Sequence, residues 1–486
     1  MTVDVMRVFM LGWEFPPFIS GGLGTACYGL TKAMSSIGTD IMFVLPRPVT
    51  TPFSTHLQLV SPRADSPLAS PSTEFRLDEF EHVTFRTVGA NLDDPYQTPA
   101  DYQHKIKGTV GAAAPQVERE VTRTAVVTPV ETPAQPLPPK PDASAAGQQP
   151  THGTANAATP GFIGNPAQAA GSHYAGDLFA EIQRYAALAA EVSRNEQFDI
   201  VHAHDWMTFP AGLAVAALKG RPLVVHVHST EFDRSGANVD HRIYDIERRG
   251  MHGAMKVIAV SALTKSIIVH QYGIDPSKVE VVYNAIEING NGFDEEKYKI
   301  HRDEKIVLFL GRITMQKGPE YFLAAAKKVL EVMDNVKFVM AGSGDMIRRT
   351  IEMAASMGIG HKVLFTGFLR GGDVDKVFKM ADLYVMPSVS EPFGIAPLEA
   401  MSHDVPVIIS KQSGVSEVLQ HALKVDFWDI NEMANKIIAV LRHPPLASTL
   451  RQHGSFEVGR MSWIDAARAC VQVYEEARGA MNPGGR

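Results

Sequence analysis

Apolar residues in this chain fall into two alternating textures. Short runs rich in Val, Ile, Leu and Phe occur at 5–12, 41–45, 223–227, 256–260 and 279–282, and again at 305–310, 336–340, 363–366, 382–386 and 406–409, with weaker strand-like stretches at 56–60 and 82–88. Between them apolar positions recur at helical spacing, as at Leu23, Ala26, Leu30, Ala33, Met34 and Ile37, with Gly38 as the expected stop. Further helices are predicted from about 174, leading to the segment 199–205, then through 211–217 and over 462–477. Continuous strands alternating with helices predict doubly wound parallel sheets covered on both faces, an α/β class. Ligands of such sheets bind beyond the carboxyl ends of the strands, so the loops that follow strands are where chemistry is expected.

The alternation breaks twice. From about 94, and throughout about 98–171, the texture turns to Pro, Ala, Thr, Gly and Gln. Such a stretch buries too little apolar surface to offset its ordering entropy, so disorder is predicted there. It is read as an insertion within one domain, because the strand–helix pattern resumes beyond it. The second break, near 287–305, is polar and rich in Gly and Asn. The expected organisation is a first domain over 1–290 with the insertion inside it, a second over 300–460, and a terminal helix over 461–480.

At 486 residues the chain is long enough for two cores. Hydrophobic residues make up 45% and charged residues 20%, as in ordinary globular proteins. A net charge of −7 argues against a general nucleic-acid or membrane surface. Cys27 and Cys470 are the only cysteines, so neither a disulfide framework nor a cysteine-based metal site is expected. The first residues lack the hallmarks of a signal peptide, and no run approaches the roughly 18 apolar residues that span a bilayer. A reduced, cytoplasmic protein with no nucleic-acid partner and no membrane span is the expectation.

Four motifs carry chemistry. In Glu391-Pro-Phe-Gly-Ile-Ala-Pro-Leu-Glu399 two carboxylates flank a Pro/Gly turn that opens an apolar helix, with Glu391 in the loop and Glu399 expected about two turns into the helix. A helix start offers unpaired N–H groups to a phosphate, whereas carboxylates repel phosphate and suit sugar hydroxyls. One segment therefore points to a ligand that carries both. Gly311-Arg312 and Lys317-Gly318 follow the first strand of the second unit, a place for cations facing a diphosphate. Gly21, Gly22 and Gly24 lie between the first strand and first helix, where small residues allow close approach of a phosphate or sugar. Finally, His202, His204, His226 and His228 form two His-x-His pairs at strand ends. Zinc with Asp205 as a carboxylate ligand is one reading; the commoner one is buried imidazoles hydrogen-bonded to backbone, and no metal is expected.

The segment SEPFGIAPLEAM at 390–401, with the Gly-Arg and Lys-Gly pairs at 311–318, resembles the E-x7-E signature of retaining glycosyltransferases of the GT-B architecture, family 4 (group 1) and its glycogen-synthase relatives. The likeness covers about 5–49 and 199–477. It implies two Rossmann-like domains facing a central cleft: an N-terminal acceptor domain, a C-terminal nucleotide-sugar domain, and a last helix crossing back to the first. It places Glu391 on the donor sugar's 3- and 4-hydroxyls and Glu399 on the ribose, with Phe393, Gly394 and Ile395 between them. Arg312, Lys317 and Gly311 would face the diphosphate, and Gly367 and Phe368, with the loop at 342–345, would lie near the base. His228 matches a histidine over the donor sugar, and Asp205 in HAHDW a residue near the acceptor. One departure stands out. Ile19 occupies the position that is Lys in glycogen and starch synthases using ADP-glucose.

The implied activity is retaining transfer of a hexose, preferably glucose, from an ADP- or UDP-sugar to an acceptor hydroxyl, an α-1,4-glucan first. No cofactor is expected, since nothing resembles an Asp-x-Asp metal motif. Front-face substitution, in which the leaving phosphate oxygen takes the acceptor's proton, is preferred to a covalent role for Glu391. Alternatives are a family-4 enzyme of surface polysaccharide or small glycosides, a nucleotide-sugar epimerase, and a non-catalytic glucan or nucleotide binder.

Overall fold

The computed structural model describes residues 5–15, 22–46, 73–75, 82–87, 178–287 and 304–481. Gly21, Ile19, the predicted strand at 56–60, the insertion at about 98–171 and most of the break at 287–305 lie outside them.

Two sheets organise the chain. The first contains β1 (Arg7–Leu11), β2 (Asp40–Leu45), β3 (Thr73–Phe75), β4 (Val83–Thr87), β5 (Ile200–His204), β6 (Leu223–Val227), β7 (Lys256–Ala259) and β8 (Val279–Val281), in the order β3-β4-β2-β1-β5-β6-β7-β8. Only β3 runs antiparallel to its neighbour. The second contains β9 (Lys305–Leu310), β10 (Val336–Ala341), β11 (Val363–Gly367), β12 (Leu383–Met386), β13 (Val407–Ser410) and β14 (Leu423–Val425), all parallel, in the order β11-β10-β9-β12-β13-β14. Strand order reverses between β1 and β5 in one sheet and between β9 and β12 in the other, so each sheet has a crevice at the carboxyl ends of those strands.

The strands form where the sequence is continuously apolar: every residue of β5, β6, β12 and β13 is buried. Helices bury one stripe each. In Pro319–Leu330, Pro fills the first turn and Phe322, Leu323, Ala325, Ala326 and Val329 face the core. The first helix, Gly22–Ser36, ends as expected at Gly38, where Thr39 N donates to Met34 O across the turn. Two apolar clusters cover each sheet, one per face. The last helix, Trp463–Met481, buries Trp463, Ala467, Cys470 and Tyr474 in the same cluster as Ala26, Leu30 and Met34 of the first helix. This helix is thus fastened to the first sheet, and Lys256 on β7 adds an ion pair to Glu476 at 2.7 Å. Among the described residues no helix is long and apolar enough to cross a membrane.

Candidate active site

The predicted residues gather at the two crevices. After β9 come Gly311 and Arg312; after β12 comes the loop that holds Glu391. After β5 comes Asp205, and the first helix begins at Gly22 beyond β1.

In the second sheet, a short 3-10 turn, Met315–Lys317, ends at Gly318 in the left-handed region (φ 66°). A Cβ at Gly318 would lie 2.2 Å from Pro387 O, so the loop after β9 can press on the loop after β12 only with glycine there. This contact brings Lys317 Nζ to 2.5 Å from Glu391 Oε2, which also accepts from Ser388 Oγ at 3.0 Å. Glu391 is buried, and Arg312 is exposed with Nη2 donating to Gln316 Oε1 at 3.4 Å. Beside them, a Cβ on Gly342 would lie 1.8 Å from Gly311 O, and Gly342 N donates to Gly367 O at 2.9 Å. Three backbone turns therefore stack at the sheet's carboxyl edge, ending at Phe368, which is exposed with the Arg370 guanidinium 5.3 Å above its ring.

Glu399 is a correction in placement. Its helix, Ala396–Ser402, has seven residues, and Glu399 lies in the first turn rather than two turns in. Gly394 (φ 104°) cannot join the helix, which starts only after Ile395. Phe393 is buried, and its carbonyl accepts from Val415 N. Burial, reinforced by the charge of Asp375, raises the Glu399 pKa to about 7. Among the described residues no hydrogen bond or ion pair engages its carboxylate, so both oxygens are available to hydroxyl donors.

In the first sheet, Asp205 adopts a left-handed backbone (φ 59°), uncommon without glycine. Its Oδ1 accepts from the backbone N–H of His228 at 2.7 Å and of Ser229 at 3.3 Å. Burial lifts its pKa to about 7, with Arg234 opposing. Asp205 thus holds the loop that carries His228. The His228 ring meets His204 at 2.9 Å, Nε2 to Nδ1, and burial lowers its pKa to about 3. The expected bonding of the four histidines to backbone is not found. The ladder of parallel strands uses the neighbouring N–H and C=O groups, so the rings face each other, and His202 Nδ1 meets Tyr474 OH at 2.5 Å. Gly22 opens its helix with free space at Cβ, and Gly24 is buried inside it.

The two halves meet through contacts that sequence reasoning missed. Ser390 Oγ donates to Asp233 Oδ1 at 2.6 Å, and Ser261 Oγ donates to Pro392 O at 2.6 Å. The Glu417 carboxylate accepts from Ala262 N and Leu263 N at 2.8 Å each and from Tyr283 OH at 3.0 Å, capping the helix Ala262–Tyr272 from the other sheet. All these groups follow strand carboxyl ends, so the two crevices face one another, with Glu391 and Lys317 at the junction. One signal was legible: Thr230-x-x-Asp233 is a capping box, and it positions Asp233. A shallow hollow of about 600 Å³ lined by Glu320, Tyr321, Arg349 and Ile430 shares no residue with this constellation.

Three family profiles match along the chain: starch synthase catalytic domain over 7–98, glycosyltransferase family 4 over 167–289, and glycosyl transferases group 1 over 291–455. An uncharacterized glycosyltransferase of Methanocaldococcus jannaschii is 35% identical over 299 residues, 58% of this chain and 76% of that protein. The chain belongs to the group 1, family 4 glycosyltransferases. The glycosyltransferase is also similar to the glycogen synthase of Mycobacterium tuberculosis, at 23% identity over 98% of this chain and 97% of the relative. Among solved structures, the catalytic domain of starch synthase IV from Arabidopsis thaliana, bound to ADP and acarbose, superposes with a TM-score of 0.62 at 14% identity, covering 98% of this chain and 99% of that one. It shares the GT-B fold with this glycosyltransferase.

Proposed function

We propose that this glycosyltransferase moves a hexose, glucose first, from a nucleoside diphosphate to a hydroxyl of an α-1,4-glucan, with retention at the anomeric carbon. The observation that carries the reading is the Lys317–Glu391 pair at the β9/β12 crevice, beside the Ser390–Asp233 bond to the first sheet. In this reading 300–460 hold the nucleotide sugar, 1–290 present the acceptor, and the helix over 461–480 ties the two. Lys317 and Arg312 face the diphosphate, whose charge grows as the glycosidic bond breaks, so they favour the transition state over the ground state. Gly311 and the turns at Gly342, Gly367 and Phe368 border the nucleoside, and Glu399 takes its ribose hydroxyls. Glu391, with Phe393, Gly394 and Ile395 behind it, holds the sugar's hydroxyls. A neutral His228, with Nε2 bonded to His204 and Nδ1 buried, meets the sugar near the reacting carbon through its backbone and adds no charge. The leaving oxygen accepts the acceptor's proton, which needs no protein base. Asp205 supports the His228 loop, and Gly22 and Gly24, with Gly21, border the donor from the first domain.

Similarity to a glycogen synthase along nearly the whole chain supports the glucan acceptor. Ile19, where ADP-glucose enzymes carry Lys, favours a second reading: a UDP-sugar enzyme of surface polysaccharide or a small glycoside. Incubation with ADP- and UDP-sugars, with and without maltooligosaccharide, decides between them. Glucan-dependent diphosphate release from a glucose donor is expected. Release without any acceptor, or interconversion of the sugar, would overturn the transferase reading of the site, and transfer only to a small acceptor would favour the second.

A further inference from the structure

The first sheet clamps Glu391 on both sides. Just before it, Ser390 Oγ donates to Asp233 Oδ1 at 2.6 Å; just after it, Pro392 O accepts from Ser261 Oγ at 2.6 Å and from Thr264 Oγ1 at 3.3 Å. The groups that do the clamping are themselves fixed. Asp233 Oδ2 accepts from Thr230 N at 2.8 Å and from Thr230 Oγ1 at 2.7 Å, which leaves Oδ1 for Ser390. Ser261 Oγ accepts from Thr264 N at 3.0 Å as the cap of the helix Ala262–Tyr272. Asp233, Ser261 and Thr264 are all buried, where hydrogen bonds are electrostatically stronger than in water. On its other flank the loop rests on its own sheet: Glu391 N donates to Gln412 O and Gly414 N to Glu391 O, each at 2.9 Å. Gly414 shows how tightly these layers meet. Its φ of −62° suits any residue, yet a Cβ there would lie 2.3 Å from Pro392 O and 2.5 Å from Ser261 Cβ.

The Glu391 carboxylate also has a defined pose. Lys317 and Ser388 both engage Oε2, which leaves Oε1 for a sugar hydroxyl. The turns at Gly311, Gly342 and Gly367, by contrast, stack on one another within the second sheet. We infer that Asp233 and Ser261 are positioning residues for Glu391, so that the donor's sugar is recognised only while the two sheets are docked, whereas its nucleotide is held by the second sheet alone. The inference rests on the reading of Glu391 as the carboxylate on the sugar's hydroxyls. A group that reads a hydroxyl must be held within about 0.5 Å of its working position. A loop released on one side lets the carboxylate swing, and that geometry is lost before the fold is. Discrimination between sugars that differ at one hydroxyl is therefore the property that depends on the first sheet, although neither Asp233 nor Ser261 need touch that hydroxyl.

The full chain is titrated by calorimetry with ADP, UDP and their glucose and galactose conjugates, which differ at the sugar's 4-hydroxyl. Wild type should prefer the glucose conjugate. Ser390→Ala leaves the capping box of Asp233 intact, and Gly414→Ala wedges the joint between Ser261 and Pro392. Each should lower the glucose-to-galactose affinity ratio about fivefold or more, while binding of the free diphosphate stays within about twofold. Ser390→Thr, which keeps the hydroxyl, should retain the wild-type ratio. A merely structural role would reduce the number of binding-competent sites and leave the ratio alone. Should Gly414→Ala fail to fold, Ser390→Ala and its Thr counterpart decide. Glu391→Gln separates the two levels. An unchanged ratio in that variant, or no preference in wild type, would overturn the reading of Glu391 and this inference with it. A ratio that falls in Glu391→Gln but holds in Ser390→Ala, or a free diphosphate weakened as much as the conjugates, would leave that reading standing and overturn the positioning role.

Discussion

Lys317→Ala separates a residue that faces the leaving group from one that also holds the fold together. The ammonium lies 2.5 Å from a carboxylate that keeps only 7% of its surface exposed, and without it Glu391 retains just the Ser388 hydroxyl. Cutting one partner from a buried pair costs about 3–5 kcal/mol, and a charge-assisted hydrogen bond about 1.5–3 kcal/mol. The Lys317 side chain is 21% exposed, so water reaches the gap and the expected loss is about 2–3 kcal/mol. Arg312 is exposed with a long 3.4 Å bond, and Arg312→Ala should change stability by about 0.5 kcal/mol or less. Both variants should lower turnover about 100- to 1,000-fold, the cost of losing one preorganised group on developing charge. Thermal melting and donor-dependent diphosphate release, measured on the same samples, read the two effects. In Lys317→Ala/Glu391→Gln the buried charge is gone, and the melting midpoint should recover by at least half. A Lys317→Ala protein that melts with wild type, or a double variant as unstable as the sum of its singles, would refute the coupling; full activity in either single variant would remove the diphosphate assignment.

Glu399, raised from an ordinary 4.5 to about 7, binds its proton more tightly in the folded chain, so the stability it contributes is full below about 4.5 and lost as pH rises through about 7. A ribose that prefers the carboxylate should then bind up to tenfold tighter per pH unit toward 7 and level off above it; calorimetry with free nucleotide should show this slope in wild type, a flat and weaker profile in Glu399→Gln, and near-normal binding but poor turnover in Glu391→Gln. Asp205→Ala loses two hydrogen bonds and leaves a left-handed backbone without its polar side chain, which should cost about 2–3 kcal/mol in thermal melting. Asp205→Asn, which keeps an oxygen and tolerates that backbone, should lose less than half as much. Glu417→Ala removes three hydrogen bonds between the sheets and should raise KM for donor while enlarging the radius of gyration in solution scattering; an unchanged radius and KM would show that the docking does not depend on it. Deleting 105–168 should preserve folding and transfer, and an insoluble product would show that the segment is structural.

Much of this was legible because parallel sheets buried on both faces write themselves as unbroken apolar runs. β6 and β9 match the sequence-based ranges residue for residue, and most of the others differ by one or two at an end. β3 and β14 escaped: each is only three residues long, and β14, Leu423-Lys424-Val425, has a charge in the middle with only Val425 buried. Helix depth at Glu399 was misjudged because the repeat was counted from the turn, whereas Gly394 in the left-handed region delays the helix start. The histidines were legible as buried but not in their bonding, because strand alternation gives the face a ring points to and says nothing of what the adjacent strand puts there.

The cross-sheet partners could not have been found by spacing at all. Ser390 and Asp233 are 157 positions apart, and Ser261 and Pro392 are 131 apart. What makes them meet is that both sheets reverse strand order at their crevices, so loops from unrelated stretches end at one junction. Those joints are made by hydroxyls and carboxylates, whose partners water can replace at a net cost of about 1 kcal/mol each. An interface of that kind can hold the two crevices together and release them again, whereas an apolar seam of similar extent would resist parting. The polar joints around Glu391 stand beside a small apolar contact, where Val260 is buried with Phe393 and Val415, and such a mixed seam suits a site that must admit a sugar nucleotide and let its diphosphate leave.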